Sequence, residues 1–180
     1  MESDYLKACF AETLVRFPEL AGHTIRFERV ALPGYTMRAQ PVFNRYIFRR
    51  RPRHYRVQLS NHGKISRYVR PRELPREVVV GWFAHELGHI VDYHRRSLAG
   101  LLWFVIGYIL FPTHRAGAER RADLFAIDRG FGDELMATKL YILEQSSLPD
   151  RYKRRIEKYY MSPDELELLL QDKEAERVLF

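Results

Sequence analysis

The chain has only one cysteine, Cys9, among its 180 residues. A single thiol excludes an internal disulfide framework, and it excludes a zinc site built from several thiolates. A metal ion in this protein would therefore need histidine, aspartate or glutamate ligands. The seven histidines of the chain leave such a site open.

Long uncharged stretches are also scarce. The longest apolar run within one, Leu98–Phe111, has fourteen residues, with Arg95 and Arg96 before it and Arg115 after it. About 20 apolar residues are needed to span a bilayer, so this run is too short to cross one. We expect a buried core helix, and peripheral contact with a membrane surface is the alternative because basic flanks also suit lipid head groups.

The N-terminus lacks the features of a secretory signal. Acidic Glu2 and Asp4 stand where such a signal carries bases, and no long apolar run follows them before Cys9. These features predict a cytoplasmic protein, which the run Leu98–Phe111 would allow to associate peripherally with a membrane.

Acidic residues are rare in one part of the chain. Between Arg26 and Arg76 there are fourteen Lys and Arg against two acids, which is +12, so the other residues sum to −5 of the total +7. Bases interleaved with aromatics, as in residues 45–56, are typical of nucleic-acid binders, but also of a solvated strand face. The alternative function is thus a basic non-enzymatic module that binds nucleic acid or an anionic membrane surface, with nucleic acid the less expected partner.

Apolar spacing and turn residues predict one α+β domain over residues 1–180. Helical periodicity covers Tyr5–Phe17, and short alternating segments from His23 to Tyr68 predict a small antiparallel sheet. Helical texture follows to the end of the chain, with five predicted breaks at Pro112, Gly130, Gly132, Pro149 and Pro163. We expect the sheet to pack on the resulting helical bundle.

The predicted helix Pro75–Arg96 contains the sequence His85-Glu86-Leu87-Gly88-His89. Residues four apart on a helix face the same way, so the two imidazoles can converge on one ion. Glu86 then points to the adjacent sector, beside a water that the ion would hold. This pattern predicts two metal ligands and a general base on one helix.

A third ligand is needed, because catalytic zinc takes three protein ligands and one water. The downstream candidates are Asp92, His94, His114, Glu119 and Asp123. Asp92 and His94 follow the motif on the same helix and cannot easily reach round to the ion. Glu119 is preferred, because it shares a face with Asp123 and with small alanines that permit a close helix approach. Asp123 is then predicted to accept the second N–H of an imidazole, His85.

The two motifs together, His85-Glu86-Leu87-Gly88-His89 and Glu119-x-x-Ala122-Asp123, resemble those of the gluzincin metallopeptidases. HtpX-like proteases and the small minigluzincins have the most similar sequence pattern. The resemblance covers residues 55–131, and residues 132–180 carry no motif that we can assign. It implies a zincin-like fold and a zinc-dependent endopeptidase of proteins or peptides.

By the same resemblance, His85, His89 and Glu119 would bind one Zn²⁺ per chain. Glu86 would be the general base, and Asp123 would support a ligand from behind. Substrate would lie as an extra strand beside Tyr55–Ser60.

Two further expectations concern the surroundings of the site. The acidic segment Ser162–Phe180, with six acids against two bases, is expected to pack on the body as an ordinary amphipathic helix, and docking on the basic cleft to hold the enzyme latent is the alternative. The group that stabilises the oxyanion is expected among Tyr93, Tyr141 and His114, which the sequence does not rank.

Overall fold

The computed structural model describes residues 2–32, 36–48, 52–61, 73–144 and 147–178. The α+β class is confirmed, because these residues form three strands and seven α-helices. The strands are β1 (Thr24–Val30), β2 (Met37–Pro41) and β3 (His54–Ser60). The helices are α1 (Glu2–Val15), α2 (Arg76–His94), α3 (Leu98–Leu110), α4 (Pro112–Asp128), α5 (Gly132–Glu144), α6 (Asp150–Tyr159) and α7 (Pro163–Val178). Of the five predicted breaks, Gly130 and Pro149 lie between two of these helices, and Pro112, Gly132 and Pro163 are the first residues of α4, α5 and α7.

The sheet is mixed rather than wholly antiparallel. Its strand order is β1-β3-β2, with β3 antiparallel to β2 but parallel to β1. A tight hairpin would have forced its two strands to be antiparallel, whereas β1 and β3 are separated by residues 31–53, which is long enough for a crossover. The predicted strand region continued to Tyr68, but residues 62–72 lie outside the described ranges.

Helix α2 forms the centre of the molecule. Fifteen of its nineteen residues are buried, and it packs against α1, α4, α5 and β2. A helix that is covered on nearly every side belongs to a core. Its polar side chains are therefore held in fixed positions by the helices around it.

Helix α3 is not the buried core helix that its composition predicts. Only Leu101, Phe104 and Gly107 are buried, because α3 packs mainly against α4 on one side. Seven large apolar residues at or next to α3 are instead 38–67% exposed: Leu102, Trp103, Val105, Ile106, Ile109, Leu110 and Phe111.

Among the described residues, the length and apolarity needed to cross a membrane are found in no single helix. Helices α3 and α4 are long and apolar enough only when they are taken together, and they are bent by 118° with respect to each other.

Two glycines let α2 come unusually close to its neighbours. A Cβ at Gly88 would lie 2.3 Å from the carbonyl oxygen of Ala122 on α4, and one at Gly81 would lie 2.2 Å from that of Glu134 on α5. Both distances are below any ordinary carbon–oxygen contact. The absence of a side chain at Gly88 therefore determines how near α4 lies to α2.

We expect Gly88→Ala to destabilise the chain by roughly 1–3 kcal/mol, because the added methyl group pushes α4 away from α2. Gly117→Ala is the matched control: it is also a helical glycine, but its Cβ would meet only the end of the Arg121 side chain at 3.4 Å. Alanine should stabilise that position by up to about 1 kcal/mol. Urea unfolding of the metal-free variants measures both effects, and a Gly88→Ala chain as stable as the control would contradict the packing argument.

Candidate metal centre

Helices α2 and α4 bring two imidazoles and a carboxylate together at one point. The Nε2 atoms of His85 and His89 each lie 3.1 Å from Oε2 of Glu119. One ligand atom from each of the three residues lies within 4.8 Å of the other two. Bonds of about 2.0–2.2 Å in a tetrahedral site separate ligand atoms by about 3.3 Å. The three side chains therefore form a group that can hold a metal ion.

Asp123 orients His85 from behind, at the position that the sequence predicts for it. Its Oδ1 lies 2.8 Å from Nδ1 of His85. A carboxylate accepts a hydrogen bond here, so Nδ1 carries the proton and the lone pair of Nε2 can face the site. The second oxygen of Asp123 accepts a hydrogen bond of 2.8 Å from the ammonium group of Lys139 on α5.

The site places several carboxyl groups out of contact with water. Burial alone would raise the pKa of Glu119, but the charges and hydrogen bonds of His89 and His85 hold it well below its ordinary value. Burial alone would lower the pKa of His85, but hydrogen bonds to Asp123 and Glu119 outweigh it and raise that pKa to about 10. Without a metal, a proton on His85 therefore supplies positive charge that the carboxylates require. A divalent cation would supply it instead.

Glu86 is buried beside this group without being one of its members. Burial raises the pKa of its carboxyl group, and the charges of His89 and His85, together with a hydrogen bond from the backbone N–H of Ala39 on β2, offset that effect only in part. Its Oε2 atom finds no hydrogen-bond partner in the part of the chain that is described. Buried polar atoms rarely stay unsatisfied, and an orphaned one usually indicates a water or ligand that completes it.

A cavity of about 390 Å³ opens over these residues. Its walls come from β2 and from helices α2 to α6. The hydroxyl of Tyr108 on α3 donates to Oε1 of Glu119 at 2.5 Å, which leaves Oε2 for the two histidines. The ring of Tyr160, just after α6, lies 5.3 Å from the ring of His85.

Sequence reasoning missed three of these side chains: Tyr108, Lys139 and Tyr160. Two of them carry a signal in hindsight. Lys139 is the single charged residue in the stretch 135–143, and Tyr108 lies inside the uncharged run 98–111. A polar group in an apolar helix needs a buried partner. Tyr108 donates to Glu119 and Lys139 donates to Asp123, both of which are carboxylates of the site.

The remaining candidate ligands lie elsewhere. Asp92 pairs with Arg96 and Arg121, and the ring of His94 packs on His23. The ring of His114 lies under Gly107 on α3. Of the three candidates for the oxyanion, Tyr93 lines the cavity, whereas Tyr141 and His114 are not among its lining residues.

The sequence prediction named the wrong strand as the one beside the substrate. Residues Tyr55–Ser60 belong to β3, the central strand, which already pairs with β1 and β2. The cavity is lined instead by residues 36–41, which include the edge strand β2. Hydrogen bonds from Ser60 N to Thr36 O and from Val42 N to His54 O set the alternation along β2. The backbone groups of Met37 and Ala39 consequently point away from β3.

The basic residues of segment 45–56 (the basic stripe) and the acidic segment Ser162–Phe180 (the acidic tail) both make contacts within the fold. Within the stripe, Arg53 is buried and donates to the carbonyl oxygens of Tyr93 and Arg96 at the end of α2; residues 49–51 lie outside the described ranges. The tail forms α7, which packs on α5 with Leu166 buried. None of its described residues lines the cavity. Inhibition by this segment therefore stays a prediction, without a contact to support it.

Comparisons with models of protein families, with curated proteins and with solved structures find no match to this chain. The chemistry of the site has to be inferred from its own geometry.

Lys139→Met tests how strongly the buried ion pair holds the site together. Removing the ammonium group leaves Asp123 buried with one hydrogen bond fewer, so we expect the metal-free chain to lose roughly 3–5 kcal/mol of stability. Lys173→Met is the control, because Lys173 pairs with Asp128 where both side chains are partly exposed. That change should cost less than about 1 kcal/mol. Equal losses in urea unfolding would contradict a special role for Lys139.

Proposed function

We propose that this chain is a zinc-dependent endopeptidase. The observation that carries the proposal is the position of Glu86: a buried carboxylate with an unpartnered Oε2, beside a two-histidine, one-carboxylate group in an open cavity. This combination supplies a metal site and a general base to one bound water. It is the arrangement by which a metal-activated water hydrolyses an amide.

Zinc fits the donor set better than a hard cation does. Two imidazoles and one carboxylate are typical of catalytic zinc, whereas Ca²⁺ and Mg²⁺ prefer sites made of oxygen ligands alone. Three protein ligands leave the fourth tetrahedral position for a water molecule. When bound, zinc would lower the pKa of that water to about 7 and polarise the carbonyl group of the substrate.

Four side chains of the protein would handle the proton and orient the metal ligands. Glu86 Oε2 would accept the proton of the attacking water and then deliver it to the amine that leaves. Asp123, held by Lys139, keeps the Nε2 lone pair of His85 directed at the metal. Tyr108 holds Oε1 of Glu119 and so keeps Oε2 turned toward the histidines.

Two tyrosines are placed to stabilise the oxyanion. Tyr93 stacks on His89, and Tyr160 lies beside His85, so each borders one ligand. Burial raises the pKa of both phenols above the ordinary value. Both therefore stay protonated at neutral pH and can donate a hydrogen bond to a developing negative charge.

The substrate would be an extended segment of a protein or peptide. The outward backbone N–H and C=O of Met37 and the outward C=O of Ala39 on β2 allow such a segment to add as a neighbouring strand along the cavity. Apolar side chains from α3, α5 and α6 line the cavity, among them Leu101, Leu135 and Ile156. We therefore expect cleavage next to an apolar side chain.

The metal can be tested without any assay of activity. Chain stripped by a chelator and then dialysed against zinc should retain about one ion per molecule by mass spectrometry, as three protein ligands imply. Asp123→Asn should weaken zinc binding by about 10–100-fold, because it alters the group that orients a ligand. Glu119→Ala should weaken it by more, because it removes a ligand itself. Glu77→Gln is the control, since Glu77 is an exposed acid at the start of the same helix. Unchanged affinity in Glu119→Ala would contradict the assigned ligand.

The reaction is tested with Glu86→Gln. Zinc-loaded chain should cleave an unfolded protein such as reduced casein, and the amide should lower the rate by about 100-fold or more, because it cannot accept a proton. The variant should still hold one zinc. Glu77→Gln again serves as control and should cleave normally. A Glu86→Gln variant that keeps its zinc and cleaves at the unchanged rate would refute the general-base assignment.

A further inference from the structure

Helix α3 presents an apolar surface that nothing in the described structure covers. We call it the α3 face and define it by the seven exposed residues at or next to α3: Leu102, Trp103, Val105, Ile106, Ile109, Leu110 and Phe111. No charged residue interrupts α3. Scattered apolar residues are normal on a protein surface, but a contiguous patch of this kind marks an interaction site.

The α3 face runs into the opening of the cavity. Val105 and Ile109 belong to the face and also line the cavity. Phe43 lines the cavity too and is 64% exposed. Whatever covers the α3 face would therefore lie at the entrance to the metal centre.

The segments beside this opening carry an excess of positive charge. Three segments contribute lining residues to its sides: 36–48, 93–116 and 150–160. They carry ten Lys and Arg against two Asp and Glu, which is +8, while the whole chain is +7, so all other residues together sum to −1. Arg38 and Arg155 line the cavity, and Arg115 lies over the ring of Tyr108 on α3. Arg151, Arg154 and Lys158 are exposed on α6, the helix whose residues Tyr152 and Ile156 also line the cavity. We call the basic residues of these three segments the cationic rim of the α3 face.

We propose that the α3 face inserts into the surface of an anionic membrane, with the cavity opening at the lipid interface. An apolar helix face with basic residues around it is the combination that binds head groups and the first part of the acyl chains. The thirteen residues of α3 are about 20 Å long against a hydrocarbon core of about 30 Å, which suits a helix lying in one leaflet. A second copy fits less well, because two such faces in contact would bring two cationic rims together.

Vesicle flotation tests the proposal independently of catalysis, with the Glu86→Gln chain as the protein. Vesicles of phosphatidylcholine with about 30 mol% phosphatidylserine should bind the chain, and binding should weaken in high salt and on phosphatidylcholine alone. Emission from Trp103 should shift to the blue and be quenched by brominated lipid. Trp103→Phe should abolish that shift, since the other tryptophan, Trp82, is partly buried on α2.

Variants separate the two parts of the surface. Trp103→Gln with Leu110→Gln should weaken binding to the anionic vesicles by about tenfold or more. Arg154→Gln with Lys158→Gln should weaken it by about fivefold for each charge removed. Val15→Gln with Leu168→Gln is the matched control, because both residues are exposed apolar side chains outside α3.

Three results would overturn the proposal. The first is binding that the Gln pair on α3 leaves unchanged, and the second is no binding to anionic vesicles by the Glu86→Gln chain without further substitutions. The third is a concentration-dependent dimer that the same α3 pair abolishes, which would assign the face to a second copy. If the zinc-loaded chain fails to cleave casein, this inference is unaffected, because the vesicle assay uses a variant that lacks the proposed base.

Discussion

The close approach of α2 and α4 is the contact on which the site depends. Gly88 stands between the two histidines of the motif, and it faces the backbone of Ala122, between Glu119 and Asp123. A side chain at Gly88 would separate the helices where the ligands meet. Because the distances between His85, His89 and Glu119 match one coordination sphere, even a small displacement of α4 would open it. The same glycine that permits the packing therefore permits the three ligand atoms to meet.

Burial of charge is the second constraint, and it extends well beyond the three ligands. Asp123 needs Lys139 and His85, Glu119 needs Tyr108 and the two histidines, and each bond crosses between helices. Removing one member would leave a charged or polar group buried without its partner, which costs more than the pair contributes. The network therefore constrains the positions of α3, α4 and α5 relative to α2. It specifies one arrangement of the bundle as much as it stabilises it.

The local pattern predicts those features that lie within one element. Helix bounds, helix breaks and the shared face of His85 and His89 follow from spacing of 3.6 residues per turn, and Glu119 and Asp123 share a face for the same reason. Features that depend on the path of the chain do not follow from spacing. The parallel pairing of β1 with β3 and the edge position of β2 are set by the crossover between them, so the strand beside the cavity could not be identified. Lys139 and Tyr108 lie on other helices, and only tertiary packing makes them partners of the site.

Helix α3 shows why composition alone misjudges burial. An uncharged run of fourteen residues is compatible with a core helix, but burial needs neighbours on all sides, and α3 packs mainly against α4. Its inner side carries Tyr108, which the site requires, and that requirement holds the helix at the rim of the cavity rather than inside the bundle. The outer side stays apolar although water would favour polar residues there. An exposed surface that retains costly apolar groups beside a cationic rim is explained when its solvent is a lipid interface rather than water alone.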